Sequence, residues 1–257
     1  MRRTLVAVYA HPDDDTFAIS GSIALHADDP DLRFVLVLVT SGGAGEISDP
    51  SLATRETLAR VREAEDRASW RTLGREPDRL EFLRFEDGSL ESMDLRVLID
   101  AIATVLREEQ PDVVLTFGPE GVTAHGDHIT VGRATMEAFH EVRLAYAGRF
   151  RRLLQTCIPE STLLALNGWL IAAGQAPIDP TQPFQPRGVP DELVAVHVDT
   201  TSVWRRRMHA LREHRTQPET DMSEEMAEQI LSADFFSQAF PGRPPGAPLL
   251  RDIFQGL

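Results

Sequence analysis

The sequence contains one cysteine, Cys157, among its 257 residues. A single thiol cannot form an internal disulfide, and it cannot build a zinc site from several cysteines. A long apolar run is also missing near the N-terminus, where the apolar segment 5–10 is followed at once by a histidine and three aspartates. That segment is too short for a signal peptide or a membrane span. We therefore expect a cytoplasmic protein.

Basic residues are few compared with acidic ones. The chain has 26 Lys plus Arg against 40 Asp plus Glu, which gives a formal net charge of -14. Such a charge repels nucleic-acid phosphates and anionic membranes, so we expect neither as a partner. The length and the 42% hydrophobic content are typical of one large globular domain, which we place at residues 1–257.

Apolar runs alternate with amphipathic segments in the first part of the chain. Strands are predicted at 5–10, 33–40, 80–85 and 112–117, and helices at 17–25, 54–73, 94–109 and 129–142. Such an alternation builds right-handed βαβ units around a sheet. The sequence therefore predicts an α/β fold, a Rossmann-like three-layer sandwich with a mostly parallel sheet. Further along, it predicts long loops over 146–190, a strand at 192–198 and a helix at 201–214.

Two clusters of histidine and aspartate follow predicted strands. The first is the segment 11–15, His-Pro-Asp-Asp-Asp, and the second is 125–128, His-Gly-Asp-His. Ligand sites of parallel sheets lie beyond the carboxyl ends of the strands, so we expect the two clusters to meet. His11, one aspartate of the first cluster and one histidine of the second would form a catalytic zinc site. A remaining aspartate could take a proton from the attacking water, and the second histidine and aspartate could stabilise an oxyanion.

These segments also fit other roles. Each cluster alone is typical of a solvated turn or a helix start, and only their joint occurrence favours a site. The glycine-rich loop 41–45 has neither a G-x-G-x-x-G spacing nor a P-loop lysine, which disfavours nucleotide binding. A magnesium or manganese phosphohydrolase would favour oxygen ligands, whereas three histidines favour zinc, with ferrous iron as an alternative ion.

The segment 10–15 closely resembles the AHPDDE signature of the LmbE-like (PIG-L) family of zinc-dependent N-deacetylases. The segment 117–128 resembles the second block of that family, which usually ends HPDH. Three weaker similarities follow the family order: 40–46 resembles its T-x-G-E-x-G-E loop, 62–65 its R-x-x-E helix, and 210–217 its A-L-x-x-H-x-[ST]-Q segment. The resemblance extends over most of the chain.

The resemblance implies a role for each matching residue. It implies that His11, Asp14 and His128 ligate zinc and that Asp13 is the general base. The adjacent Asp13 and Asp14 fit this division, because one of two neighbouring carboxylates must face away from the metal ion.

Further roles follow from the same resemblance. It implies that His125 stabilises the oxyanion as a cation, that Asp127 tunes or orients it, and that Arg62 and His214 lie near the substrate. The implied reaction is the removal of an N-acyl group, typically acetyl, from a small amino-sugar compound. Homo-oligomerisation is a further possibility, since relatives of this fold are often oligomeric.

The chain departs from the family pattern at four positions. Asp15 replaces a glutamate, Gly43 stands where the family often has glutamate, Gly126 replaces proline, and Thr123 stands where some thiol-pathway deacetylases have tyrosine. These differences bear on substrate choice. Two alternatives stay open at this point: an amidase of thiol conjugates or other amides on the same site, and an inactive metal-binding member of the family.

Overall fold

A central β-sheet with helices on both faces organises the molecule. The computed structural model describes residues 2–47, 49–217, 220, 222–244 and 246–257. The strands are β1 (Arg3–Tyr9), β2 (Leu32–Thr40), β3 (Arg79–Phe85), β4 (Val113–Phe117), β5 (Arg152–Thr156), β6 (Ile158–Pro159), β7 (Gly188–Val189), β8 (Val194–Asp199) and β9 (Ala233–Phe240). The helices are α1 (Asp14–Leu25), α2 (Leu58–Leu73), α3 (Leu95–Glu109), α4 (Gly121–Ala124), α5 (Gly126–Arg143), α6 (Glu160–Ala172), α7 (Trp204–Leu211) and α8 (Glu224–Leu231).

The seven-stranded sheet has the order β3-β2-β1-β4-β5-β9-β8. Strands β1 to β5 pair in parallel, and β9 is antiparallel to both of its neighbours, β5 and β8. The predicted α/β fold with a mostly parallel sheet is therefore confirmed. The chain leaves β1 toward β2 on one side and returns to β4 on the other, which makes the carboxyl ends of β1 and β4 a topological switch point.

The core explains why the first strands could be found from the sequence. Every residue of the apolar run 5–10 is fully buried, as expected for a parallel strand that is covered on both faces. Helices α1, α2 and α7 contact one another, and α3 contacts α5, so the two groups cover opposite faces of the sheet. Among the described residues, every helix is too short or too polar to span a bilayer.

The prediction of long loops over 146–190 is wrong for its central part. This stretch contains β5, β6 and α6, and only residues 173–187 connect α6 to β7 without a helix or strand. Helix α6 is apolar around its whole circumference, with Glu160 as its one charged residue. It therefore shows no helical periodicity that the sequence analysis could detect.

Four helices differ from prediction by three residues or more at an end. α1 begins at Asp14 and α5 at Gly126, three residues earlier than predicted in each case, α2 begins at Leu58, four residues later, and α7 is shorter than the predicted helix 201–214. The sequence analysis assigned no element to α8 or β9. The early starts matter for function, because they place both His-Asp clusters at helix N-termini.

Candidate metal centre

The donor atoms of three side chains converge beyond the carboxyl ends of β1 and β4. His11 Nδ1 lies 3.2 Å from His128 Nε2 and 3.2 Å from Asp14 Oδ2. His128 Nε2 lies 3.1 Å from Asp14 Oδ1. In a tetrahedral zinc site with bonds of about 2.0–2.1 Å, neighbouring donor atoms are about 3.3 Å apart. These side chains are therefore spaced as the ligands of one small cation, and their chemistry fits zinc.

Helix N-termini present both clusters to this point. α1 begins at Asp14, so Asp14 and Asp15 lie in its first turn, where the partial positive charge of the helix stabilises carboxylates. His125 is the N-cap residue of α5, and His128 follows in the first turn of that helix. The clusters are distant in sequence, and the switch point between β1 and β4 brings them together.

His11 and His128 each form polar contacts at the ring nitrogen that faces away from the metal centre, and these contacts fix the orientation of the rings. The Nδ1 atom of His128 lies 2.9 Å from the carbonyl oxygen of Gly121, to which it donates when Nε2 faces a cation. His11 uses its two ring nitrogens the other way round from His128. Its Nδ1 faces the triangle, and its Nε2 lies 3.0 Å from Asp87 Oδ1 and 3.4 Å from Asp127 Oδ2.

Asp127 contacts a different partner from the one expected. Its carboxylate accepts hydrogen bonds from the backbone amides of Gly88 and Leu90, at 2.7 and 3.1 Å, and its Oδ2 faces His11. Its contact with His125 is instead made by the backbone, since the amide of Asp127 donates to His125 Nδ1 at 3.1 Å. The carboxylate of Asp127 therefore orients His11. It was expected to orient His125, but its contacts described here are with His11 and the two amides.

The sequence analysis missed Asp87, which lies in the loop after β3. Besides its contact with His11, its Oδ2 accepts a hydrogen bond of 2.7 Å from the amide of Ala44 in the glycine-rich loop. Burial raises the pKa of Asp87, but the bond with His11 outweighs this and lowers the pKa to about 2. The signal was available, because Asp87 lies two residues after the end of β3, and parallel strands carry ligand sites at that edge of the sheet.

Asp13 links β1 to α1 in a strained backbone conformation. Its φ is 112° and its ψ is -38°, a region that residues with a side chain rarely adopt and that is often found at functional sites. Arg62 of α2 donates from Nη2 to Asp13 Oδ2 at 3.1 Å and to the carbonyl of Pro12 at 2.6 Å, and from Nη1 to the carbonyl of Gly42 at 3.2 Å. Arg62 is only 4% exposed. Its guanidinium thus positions Asp13 and the glycine-rich loop, where a substrate contact was expected.

His125 lies at the open side of the centre. Burial lowers the pKa of His125, and the neighbouring His11 and His128 lower it further, so the structure favours a neutral ring over the expected cation. Its Nδ1 accepts the amide hydrogen bond described above, which leaves Nε2 as the donor. The ring of Phe184, in the segment 173–187, packs 5.0 Å from the ring of His125 while its side chain stays 64% exposed. Phe184 was missed because an aromatic residue in an irregular segment has no pattern to mark it.

The structure places His214 behind the centre, although the sequence analysis expected it near the substrate. His214 is fully buried, and its Nε2 lies 3.2 Å from Thr16 Oγ1, which in turn lies 3.1 Å from Ser69 Oγ. Burial lowers the pKa of His214 to about 3, and the charge of Arg62 acts in the same direction. His214 is therefore a neutral residue behind the centre, where it joins the segment after α7 to α1.

A buried pair of carboxyl groups also lies behind the centre. Asp15, which replaces the family's glutamate, accepts a hydrogen bond of 2.6 Å from Trp70 Nε1. Burial raises the pKa of Asp15 to about 7. Asp66 of α2 is fully buried, and its pKa is raised well above the usual value by burial first and by the charge and contact of Asp15 second. Asp66 therefore favours the protonated form.

Replacing Asp66 by Asn is expected to stabilise the fold at high pH, because Asn imitates the protonated acid. The raised pKa means that the acid contributes its stability at low pH and loses it as the pH rises through that pKa. We expect Asp66→Asn to melt at a higher temperature than the native chain, by a margin that grows from pH 5 to pH 9. At pH 9 the gain in unfolding free energy should reach about 1–3 kcal/mol. Glu76→Gln, which removes one charge at an exposed position between α2 and β3, is the control. A margin that is absent, or that shrinks with pH, would contradict this assignment.

Within the part of the chain that the structure describes, two groups of side chains could hold a metal ion by proximity of their donor atoms. One is His11, His125 and His128, and the other is His11, Asp87 and Asp127. The shorter distances of Asp14 to the two imidazoles favour Asp14 over His125 as the third ligand of the first group. His125 is then left facing the substrate side.

The chain is similar in sequence to a known family and to characterised relatives. Residues 6–139 match a family model described as PIG-L, GlcNAc-PI de-N-acetylase. A 1D-myo-inositol 2-acetamido-2-deoxy-alpha-D-glucopyranoside deacetylase from Geodermatophilus obscurus is 28% identical over 292 residues, an alignment that covers 99% of this chain and 98% of the relative.

Two solved structures share the fold at low sequence identity. The N,N'-diacetylchitobiose deacetylase from Pyrococcus horikoshii has a TM-score of 0.60 at 20% identity, covering 92% of this chain and 83% of its own. GalB, a 4-carboxy-2-hydroxymuconate hydratase from Pseudomonas putida, has a TM-score of 0.62 at 19% identity, covering 96% of this chain and 100% of its own. Since deacetylases and a hydratase share this fold, the reaction must be argued from the residues of the site.

Proposed function

The chain belongs to the PIG-L family of GlcNAc-PI de-N-acetylases, and we propose that it uses a zinc ion held by His11, Asp14 and His128 to remove an acetyl group from the nitrogen of an amino-sugar compound. The observation that carries this proposal is the donor triangle formed by these three side chains, in which each approaches the other two at 3.1–3.2 Å and Asp14 turns one carboxylate oxygen to each histidine. The adjacent carboxylate of Asp13 supports it, because this group is held in place by Arg62 at 3.1 Å.

The residues around the triangle divide the work of amide hydrolysis. A bound zinc ion supplies Lewis-acid activation of water and of the acyl carbonyl. Asp13 takes a proton from the water that attacks the carbonyl carbon, and it returns a proton to the nitrogen as the C–N bond breaks, which yields acetate and the free amine. His125 donates from Nε2 to the oxygen that becomes negative in the transition state, a role that a neutral imidazole can fill. Asp87 and Asp127 hold His11 in its orientation.

A cavity beside the centre offers room for the rest of the substrate. Its volume is ≈ 660 Å³, within the range of small-molecule sites, and it lies between the glycine-rich loop, the start of α2 and the end of β3. Asp87 lines this cavity and also contacts His11, so the cavity adjoins the centre through a single side chain. The lining carries both arginines and carboxylates, and this mixture of positive and negative groups suits a polar, hydroxyl-rich substrate. Gly43 is part of the lining and leaves space that a glutamate would fill.

The test of this function is acetate release from a panel of N-acyl compounds. The metal-free full-length chain is assayed with and without one equivalent of zinc on N-acetylglucosaminyl compounds, on thiol conjugates and on simple amides. We expect zinc-dependent acetate release from the amino-sugar compounds. Turnover confined to thiol conjugates would replace the proposal with the amidase alternative, and zinc binding without any hydrolysis would point to an inactive family member. Ferrous iron is compared in the same assay.

The partners and the location are extensions of the same proposal. We propose that the chain acts in the cytoplasm on a small-molecule substrate without nucleic acid or membrane. The formal net charge of -14 supports the exclusion of both polyanionic partners. Homo-oligomerisation stays a prediction that light scattering can test.

Replacing Phe184 by Ala is expected to raise KM for an amino-sugar substrate about 2- to 10-fold, the value of one aromatic contact. The exposed ring beside His125 offers an apolar face to the C–H groups of a sugar, and it takes no part in bond breaking. kcat should therefore change less than KM. The exposed Leu164→Ala on α6 is the matched control. An unchanged KM in Phe184→Ala, or an equal rise in both variants, would remove Phe184 from the substrate space.

A further inference from the structure

The imidazole of His11 carries ligand-type atoms at both of its nitrogens. On the Nδ1 side lie Asp14 and His128, the proposed zinc ligands. On the Nε2 side lie Asp87 Oδ1 at 3.0 Å and Asp127 Oδ2 at 3.4 Å. The donor atoms of this second group lie within 4.8 Å of one another. The ring therefore separates two groups of three donors, and the proposed hydrolysis uses only one of them as metal ligands.

We propose that His11 Nε2, Asp87 and Asp127 form a second divalent-cation site, weaker than the first, so that His11 bridges two ions when zinc is in excess. Their contacts with the nitrogen, 3.0 and 3.4 Å, bracket the separation of about 3.3 Å between donors of a tetrahedral zinc site. The proposal rests on the proposed function in one respect, the zinc ion assigned to the Nδ1 side. One imidazole and two carboxylates form the type of donor set that zinc accepts.

The charge balance at Nε2 favours a cation. Two carboxylates face one nitrogen, and the side chains of His11, Asp87 and Asp127 are 10%, 10% and 2% exposed. With zinc on Nδ1, the imidazole of His11 is a neutral ligand, and the three backbone amides that donate to these carboxylates carry no formal charge, so two negative charges lie close together where burial makes them costly. A divalent ion at this point would balance both charges, while the Nε2 hydrogen leaves to solvent as the ion binds. The need to displace that hydrogen makes the second site weaker than the first.

The backbone holds both carboxylates in place before any ion arrives. The amide of Ala44 donates to Asp87 Oδ2, which turns Oδ1 toward His11. The amide of Leu90 donates to Asp127 Oδ1, and the amide of Gly88 donates to Oδ2, the oxygen that faces His11. Because three backbone amides fix these carboxylates, the second group is ordered in advance, and little of the binding free energy of an ion would be lost in ordering it.

An ion can reach this group from solvent. Asp87 lines the ≈ 660 Å³ cavity described above, and the carboxylates of Glu63 and Glu86 belong to the same lining. The lining carries four carboxylates against three arginines, a small excess of negative charge that does not repel a cation. The path to the second group therefore need not pass through the first.

Zinc titration of the metal-free full-length chain by calorimetry tests the proposal without substrate. We expect two classes of bound zinc, one tight and one weaker. In Asp87→Asn the weaker class should be lost from the titration, because one of its three ligands is removed, while the tight class persists with a dissociation constant raised about 10- to 100-fold, since Asp87 also orients His11. Glu86→Gln removes the same charge one residue away, outside the donor group, and should keep both classes.

Crystals soaked in excess zinc give a second readout that does not depend on any variant. Anomalous diffraction should show two peaks on either side of the His11 ring, roughly 6 Å apart as imidazole bridging with bonds of about 2.0 Å requires. Saturation at one zinc per chain, a second peak elsewhere, or equal behaviour of Asp87→Asn and Glu86→Gln would overturn the proposal. Acetate release at one equivalent of zinc tests the proposed function separately, so either inference can fail while the other stands.

Discussion

Replacing Asp13 by Asn is expected to lower kcat for deacetylation about 100- to 10,000-fold, the usual contribution of a positioned general base. Asn keeps the size of the side chain and can still accept the hydrogen bond from Arg62, so the strained link between β1 and α1 should keep its form. What Asn cannot do is take a proton from water. Since Asp13 makes no side of the donor triangle, the variant should still bind the zinc ion of the tight site.

Asp14→Asn is the comparison that separates a base from a ligand. Asp14 forms two sides of the donor triangle, at 3.2 and 3.1 Å, so this variant should lose tightly bound zinc together with activity. Metal analysis and kcat are measured on both variants under the same conditions. If Asp13→Asn keeps near-native turnover, or loses zinc as Asp14→Asn does, the division of roles between these two neighbours is wrong.

The sequence was sufficient to predict the part of the fold that carries the first cluster. Strands β1, β2 and β4 are buried apolar runs, and buried parallel strands have this composition whatever their neighbours are. Parallel strands end at one edge of a sheet, so both clusters were expected at that edge. The strand order that places β1 beside β4 was not predicted, because it depends on tertiary packing.

The rest of the site depends on contacts that no local pattern records. Asp87 reaches His11 only because β3 lies at the edge of the sheet and its loop folds back toward β1. Asp127 belongs to a recognisable motif, yet its partner is decided by the amides of Gly88 and Leu90, which come from another loop. The place of His214 depends on how α7 packs against α1. Such side-chain partners are set by tertiary packing, which a single sequence does not display.

A buried arginine joins the late part of the chain to the helix that carries Asp14. Arg207 of α7 is 1% exposed and donates to the carbonyl oxygens of Phe17 and Leu231 and to the hydroxyls of Ser20 and Thr200. Its Nη2 also lies 2.8 Å from the buried Asp234 Oδ1. These bonds tie α1 to α7 and to the start of β9, so the guanidinium supports the position of the catalytic helix from behind.

Replacing Arg207 by Ala is therefore expected to cost about 3–5 kcal/mol of unfolding free energy, because it leaves Asp234 buried without its counter-charge. For a chain of this size, such a loss lowers the melting temperature by about 6–20 °C. The neighbouring Arg205→Ala is the control, since Arg205 is exposed and its contact with Glu224 is 3.7 Å long. It should cost less than about 1 kcal/mol.

The double variant Arg207→Met with Asp234→Leu separates the loss of the pair from the burial of a lone charge. Two apolar side chains remove both charges together, so part of the stability lost in Arg207→Ala should return. Full recovery is not expected, because Asp234 also accepts hydrogen bonds of 2.7 Å from the amide and the hydroxyl of Ser22 in α1. If the double variant is less stable than Arg207→Ala, the hydrogen bonds of these two residues outweigh the cost of burying their charges. If Arg207→Ala melts together with Arg205→Ala, the buried pair does not hold α1 in place.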